Sequence, residues 1–211
     1  MFRRKVKISS RVDKTIINTL PVDQFDGEVV VVNTEDHARE AVEELMKEPY
    51  IGFDTETKPS FQRGVHNKVS LLQLSTENKA FLFRLNFIGL PGCIIDLLQN
   101  RSVIKIGLSS KDDFAALSAR GHISPAGFVE LQDYVRQLGI EELGLQRLYA
   151  LLFGKKISKA QRMSNWQADP LLPAQISYAA TDAWATLKIW LYLEELVAKR
   201  KLQVVHVDSD C

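Results

Sequence analysis

Tyr50-Ile51-Gly52-Phe53-Asp54-Thr55-Glu56 decides how the rest of the chain is read. The stretch is apolar and aromatic at its start and carries two acids, two positions apart, at its end. Residues two apart in a strand point to one face. Asp54 and Glu56 therefore project together, while Phe53 and Thr55 face the other way. A carboxylate at the end of an apolar strand is costly unless something cationic neutralises it. A close acidic pair can hold a hard cation through oxygen. Taken alone, the pair has a plainer reading, two surface acids at a solvated strand end.

Outward from this strand, Lys68 to Ser75 and Lys79 to Leu85 read as two more, joined by the short hairpin connection Thr76-Glu77-Asn78. The three form an antiparallel meander, and Lys58 to Asn67, with Pro59 and Gly64, is a loop. Upstream, Val29 to Val32 is a strand. Asn33-Thr34-Glu35 then caps a helix reaching about Lys47, with an apolar stripe of Ala38, Ala41, Val42, Leu45 and Met46. Downstream come a short helix (Pro91 to Gln99), a buried strand (Val103 to Leu108) and a helix (Ser110 to Arg120) closed by Gly121. A short strand, Phe128 to Leu131, precedes helices Gln132 to Leu138 and Gly144 to Phe153. Lys155 to Trp166 is irregular and basic. Pro173 opens a long helix running to about Lys201, and Val204 to Val207 is a short strand or an ordered tail. A meander followed by alternating strands and helices predicts an α/β fold, a mixed sheet with helices on both faces. The ligand site is expected at the sheet's open edge, near the ends of the central strands.

The 211 residues suit one domain. Residues 1–27 read as a basic, solvated N-terminal extension, 28–201 as the domain and 202–211 as a tail. No apolar run approaches the roughly 18 residues that span a bilayer. With a formal net charge of +1, bulk charge does not announce a nucleic-acid partner, so local basic patches and metal must hold one. Cys93 and Cys211 form no CxxC pair and lie near no histidine cluster, which suggests neither zinc nor a disulfide framework. The first fourteen residues hold Arg3, Arg4, Lys5, Lys7, Arg11 and Lys14 against Asp13 and lack the apolar stretch of a secretory signal. A bacterial-type cytoplasmic location is expected, in preference to an organellar presequence.

Two further acidic groups stand at informative places. Tyr178 and Asp182, four apart, share one face of the long helix. The alanines around them would let that helix approach the sheet. A structural tyrosine–aspartate pair is the plainer reading. Asp112 and Asp113 both fall in the first turn of the helix after the buried strand, where the dipole favours acids in any case. Asp113 is preferred, because it stands one turn before the apolar Leu117.

As an ordered set, these pieces resemble a known family. Gly52-Phe53-Asp54-Thr55-Glu56, the stretch from Lys105-Ile106-Gly107 through Asp113, and Tyr178-Ala179-Ala180-Thr181-Asp182-Ala183 are similar to the three motifs of the DEDDy 3′–5′ exonucleases. Arg162-Met163-Ser164-Asn165-Trp166, with Leu171 and Tyr178, resembles the Werner syndrome protein's exonuclease domain more than ribonuclease D. The resemblance covers about residues 29 to 200 and implies a ribonuclease H-like fold. It implies two Mg²⁺ or Mn²⁺ ions: Asp54 would bridge them, Glu56 and Asp182 would help hold one, and Asp113 the other. It also implies that the Tyr178 hydroxyl orients the attacking water, since a phenol with a pKa near 10 is a poor base at neutral pH.

The substrate would be the 3′ end of DNA or RNA, released as nucleoside monophosphates. DNA is favoured, because no helical RNA-binding domain follows the long helix. Lys155, Lys156, Lys159 and Arg162 are candidate phosphate contacts, with Arg162 preferred. Thr55 and Thr57 are candidates to offer backbone N–H groups to the terminal nucleotide, and are equally readable as plain strand-end residues. Trp166 reads as core rather than as a base-stacking platform. The competing expectation is a catalytically silent nucleic-acid-binding module on the same fold.

Overall fold

The computed structural model describes residues 4–62, 64 and 66–207. In chain order the elements are β1 (Val6–Ser9), a short 3₁₀ turn (Ile17–Thr19), β2 (Glu28–Val32), α1 (Glu35–Leu45), β3 (Tyr50–Glu56), β4 (Leu71–Ser75) and β5 (Lys79–Arg84). Then follow α2 (Leu85–Ile88), α3 (Gly92–Gln99), β6 (Ile104–Gly107), α4 (Ser110–Ser118), β7 (Phe128–Glu130), α5 (Leu131–Gln137), α6 (Leu145–Phe153), α7 (Pro173–Ala198) and β8 (Leu202–Val205). The main sheet has six strands in the order β2-β5-β4-β3-β6-β7. β3, β4 and β5 pair antiparallel, while β2, β6 and β7 join in parallel. This is the mixed sheet expected.

Local chemistry sets the elements. Thr34 caps α1, its hydroxyl accepting from the His37 N–H. Pro173 occupies the first turn of α7, where its missing N–H costs nothing. One face of the sheet buries Phe53, Leu72, Leu74, Phe81 and Phe83 with apolar residues of α1 and α3. The other face lies under α7, with Leu71, Leu82, Trp166 and Ala179 packed together. Helices thus cover both faces. Trp166 is fully buried, its ring 5.9 Å from that of Tyr178, so it is core as expected.

Several expectations change. β4 begins at Leu71 rather than Lys68. Leu85 opens α2, an element the sequence reading left out. α4 ends at Ser118, and Gly121 does not close it in a left-handed conformation. The described part of the N-terminal stretch is folded, not solvated. β1 pairs in parallel with β8, and Ile8, Ile17 and Phe25 are buried. Asp23 accepts from the Tyr149 hydroxyl at 2.6 Å and pairs with Lys155 at 3.2 Å. The Phe25 N–H donates to the Thr181 hydroxyl at 3.1 Å. The undecided segment near 204 is therefore a strand. Residues 1–3 and 208–211, Cys211 among them, lie outside the described residues, and among the described residues Cys93 has no disulfide partner.

Lys105 is fully buried in β6. Its ammonium donates to the carbonyls of Leu97 (3.1 Å), Asn100 (2.6 Å) and Val103 (2.9 Å). It thereby supplies donors to the end of α3, where helix carbonyls lack partners. Burial pulls its pKa down to about 8.

Gly52 sets how near α7 comes to the sheet. A Cβ there would lie 1.9 Å from the Ala183 carbonyl oxygen and 2.6 Å from Ser75 Oγ. The nearer obstacle is helix backbone, which no rotamer change relieves. Gly52→Ala is therefore expected to destabilise the fold by about 1–3 kcal/mol or more. Urea unfolding measures this, and wild-type stability would refute the contact.

Candidate active site

Asp54 and Glu56 close the central strand β3, which lies between β4 and β6. The site thus sits at the end of a central strand, as expected, and that strand is an interior one. α7 crosses over this point, close enough at Gly52 for Asp182 to reach the acids of β3. Carboxylate oxygens of Asp54, Glu56 and Asp182 lie within 4.8 Å of one another. Tyr178, one turn earlier on α7, turns its hydroxyl toward Asp182, Glu56 and Asp54. Thr55 points to the opposite side of β3, and its hydroxyl donates to Asp113 Oδ1.

Asp113 approaches from α4. It stands outside the three-acid group, yet its charge is felt by both Asp54 and Glu56. Asp113 is partly buried and Asp112 exposed, as the position of Leu117 suggested. The turn into α4 is fixed by Glu130, whose carboxylate accepts from Ser109 N–H (2.9 Å), Ser110 N–H (2.8 Å) and Ser110 Oγ (2.9 Å). The same side chain caps α5 through the Gln132 N–H. Ser109 adopts a positive φ of 63° at this turn. The sequence reading missed Glu130, because its partners are distant in sequence.

Asp54, Glu56, Tyr178 and Asp182 open on a cleft of about 500 Å³, whose wall Asp113 does not join. Its walls include Asp54, Thr55, Glu56, Tyr178 and Asp182 on the acidic side, and Lys159, Arg162 and Arg147 as the cations. Arg147 is tied to Glu142 at 3.1 Å. Lys159 and Arg162 are exposed, and their charge is felt by Asp182 and Glu56 respectively. Lys155 and Lys156 do not line the cleft. Lys155 pairs with Asp23, and the Lys156 ammonium donates to the Asn18 carbonyl, so both hold the N-terminal segment instead of facing the site. Thr57 does not line the cleft either, whereas Thr55 does.

Burial is the main force on the acids, and their mutual repulsion adds to it. Desolvation, then Asp182, Asp113 and Glu56, push Asp54 well above the carboxylate range. Desolvation with Asp182 and Asp113 raises Glu56 to about 9, against the pull of Arg162. Asp182 rises to about 7 by burial, opposed by the Tyr178 hydroxyl and Lys159. Asp113 rises to about 6 by burial, with the Thr55 hydrogen bond pulling the other way. Tyr178 is pushed up by burial and by the acids, so at neutral pH its hydroxyl keeps its proton and donates. Acids gathered in this way, all oxygen donors, suit hard divalent cations that neutralise them.

Each acid has a folded pKa above its ordinary value of 3.8 (Asp) or 4.5 (Glu). The folded state therefore holds more protons than the unfolded chain between about pH 4 and 9, and stability falls as pH rises through that window. The chelated protein should show a Tm that declines from pH 5 to 9. Added Mn²⁺ should raise Tm more at pH 8 than at pH 6. A Tm that is flat with pH and indifferent to metal would contradict the clustering.

The comparisons with known proteins agree with this geometry. A family model described as 3′–5′ exonuclease matches residues 29–198. Over 152 residues the chain is 34% identical to the mouse bifunctional 3′–5′ exonuclease/ATP-dependent helicase WRN, covering 69% of this chain and 11% of that protein. Over 188 residues it is 31% identical to ribonuclease D of Gluconacetobacter diazotrophicus, covering 87% of this chain and 47% of the relative. It thus spans about half the length of this ribonuclease D and a small part of the WRN protein.

Among solved structures, the Aedes aegypti Nibbler EXO domain superposes with a TM-score of 0.77 at 23% identity, covering 86% of this chain and 95% of that one. Escherichia coli RNase D superposes with a TM-score of 0.72 at 22% identity, covering 82% and 46%. The fold they share with this chain is ribonuclease H-like. With the family model spanning all of the main sheet but its first residue, Glu28, and the whole of α7, this chain belongs to the 3′–5′ exonuclease family.

Proposed function

We propose that the chain is a metal-dependent 3′–5′ exonuclease that hydrolyses the terminal phosphodiester of a nucleic-acid strand and releases nucleoside monophosphates. The observation that carries this is the convergence of Asp54, Glu56 and Asp182, from a strand and a distant helix, to within 4.8 Å in a cleft with cations on its other wall. In this reading Asp54, Glu56 and Asp182 would hold one divalent ion, and Asp113, with Asp54, would help to hold a second. When bound, a pair of Mg²⁺ or Mn²⁺ ions supplies positive charge for the attacking and leaving oxygens of an in-line displacement.

The remaining steps belong to the chain's own residues. The Tyr178 hydroxyl, protonated at neutral pH, donates toward the site and orients the attacking water without removing its proton. Arg162 and Lys159 face the phosphate, which carries the charge they are free to meet. Thr55 holds Asp113 by its side chain, and its backbone at the strand end lies on the cleft wall, where the terminal nucleotide would rest. Trp166, buried behind Tyr178, fixes the phenol ring from the rear. Thr57 and the lysines at 155 and 156 take no part in this arrangement.

DNA 3′ ends are the first substrate proposed. RNA is the second reading, supported by the ribonuclease D relative that matches 87% of this chain. A labelled single-stranded oligonucleotide of each kind, with Mg²⁺ or Mn²⁺ and with and without chelator, tests both. Stepwise shortening from the 3′ end only with metal supports the enzyme, and the faster substrate identifies the sugar. Correctly folded protein that binds but shortens neither would support the silent binding module.

Asp54→Asn and Asp182→Asn should each lower turnover by roughly 10²–10³-fold or more, with the fold retained by circular dichroism. Asp113→Asn should be severe and Asp112→Asn mild; the reverse would move the fourth acid by one position. Tyr178→Phe should reduce kcat by about 10²-fold, the scale of a misplaced reactant, with Mn²⁺ affinity nearly unchanged. A large loss of metal affinity in that variant would contradict the orienting role.

A further inference from the structure

Gln73 lies in the middle of β4 and is fully buried. Among the described residues, neither its side-chain oxygen nor its side-chain nitrogen has a hydrogen-bond partner. A buried amide without partners is costly, and natural folds rarely keep one without a reason. The sheet register points to the reason. Gln73 stands directly opposite Asp54 on one side and Leu82 on the other. Directly opposed residues of antiparallel strands share a face, with Cβ atoms about 4.5–5.5 Å apart. Leu82 offers no polar atom. α7 covers this face with Ala179, Ala180 and Ala183, all fully buried, and with Asp182.

Ser75, the other unpartnered polar side chain of β4, differs. Its hydroxyl and the Ala183 carbonyl both crowd the place a Gly52 Cβ would take, so an acceptor is close by. For Gln73, the polar group that the register sets beside it is the Asp54 carboxylate.

We infer that Gln73 is a positioning residue of the active site: its side-chain amide is placed to donate to the Asp54 carboxylate and to fix that carboxylate's orientation when divalent metal occupies the acidic cluster. The inference rests on the exonuclease reading above. Gln73 touches neither substrate nor metal in this role and acts through Asp54. An amide suits the place better than any charged group. It donates to a carboxylate without adding negative charge to a site already crowded with acids. An amine there would compete with metal for the same ligands. Partners that orient metal ligands typically matter 10–100-fold in metal affinity or activity.

The test uses the full chain and Gln73→Met, which keeps size and removes the donor. Mn²⁺ binding by calorimetry should weaken by about 10–100-fold. The Tm of the chelated variant should equal or exceed that of wild type, since an unpartnered buried amide has been removed. At limiting Mn²⁺ kcat should fall with KM for the oligonucleotide unchanged, and excess Mn²⁺ should restore much of the rate. Wild-type Mn²⁺ affinity in a folded Gln73→Met protein would overturn the inference.

Should that variant fail to fold, the wild-type protein answers alone. On titration with Mg²⁺, one of the two Gln73 side-chain amide protons should shift downfield in the NMR spectrum and its exchange should slow. Unchanged shifts and exchange would overturn the inference. A wild type that binds Mn²⁺ and shortens oligonucleotides while Gln73 proves indifferent rejects this inference alone. A wild type that binds no Mn²⁺ rejects the exonuclease reading with it.

Discussion

The close approach of α7 to β3 is the constraint on which the site depends. Gly52 leaves the helix carbonyl at Ala183 no room to spare, and the buried alanines at 179, 180 and 183 keep that side of α7 thin. Asp182 precedes Ala183 by one residue. Any larger side chain at Gly52 would lift the helix where the acid must reach down. The same short distance that makes good apolar packing therefore also forces three carboxylates together. Packing and chemistry are one feature here, and the core around Trp166 and Leu71 supplies the attraction that offsets their repulsion.

That repulsion is substantial. In water these carboxylates would be ionised at neutral pH. In the cleft, burial and the charges of Asp182 and Asp113 hold Glu56 near 9, and burial holds Asp182 near 7. Protons relieve the site when metal is absent, and divalent cations would relieve it better, because each carries two charges and accepts several oxygens. A site of this kind is unstable as an anion cluster and coherent as a ligand set. The fold accepts local strain where function needs it, which is where consistency between sequence and structure is expected to break.

Much of this was legible in the chain. Alternation placed Asp54 and Glu56 on one face, helical spacing placed Tyr178 with Asp182, and Leu117 distinguished Asp113 from Asp112. Pro173, Thr34 and the hairpin at residues 76–78 announced their elements through backbone chemistry alone. What escaped depends on partners far away in sequence. Val6 to Ser9 looks like a basic tail until Leu202 to Val205 is beside it. Lys105 looks misplaced in a buried strand until the carbonyls at the end of α3 are seen to surround it. Lys155 and Lys156 look like phosphate contacts until Asp23 and Asn18 claim them. Gln73 carries no local signal at all; only the register with Asp54 gives it meaning. Gly121 misled in the opposite direction, since a glycine after a helix is a common closing signal and here α4 had already ended.

The two charged walls of the cleft are built differently, and the difference has a consequence. The acids stand on β3 and on the interior turns of α7, both braced by the core, and Asp113 is held by Thr55. The cations Lys159 and Arg162 stand on an irregular stretch and are exposed. Rigid ligands favour a fixed cation geometry, because little ordering entropy remains to be lost on binding. Exposed cations on irregular backbone can follow a phosphate chain whose sugar and base change at each step. An enzyme that shortens a strand one residue at a time meets a new 3′ end on every turnover, so it needs an invariant centre and an adaptable grip. In the exonuclease reading proposed above, the acids braced on β3 and α7 would supply the first and the exposed cations Lys159 and Arg162 the second.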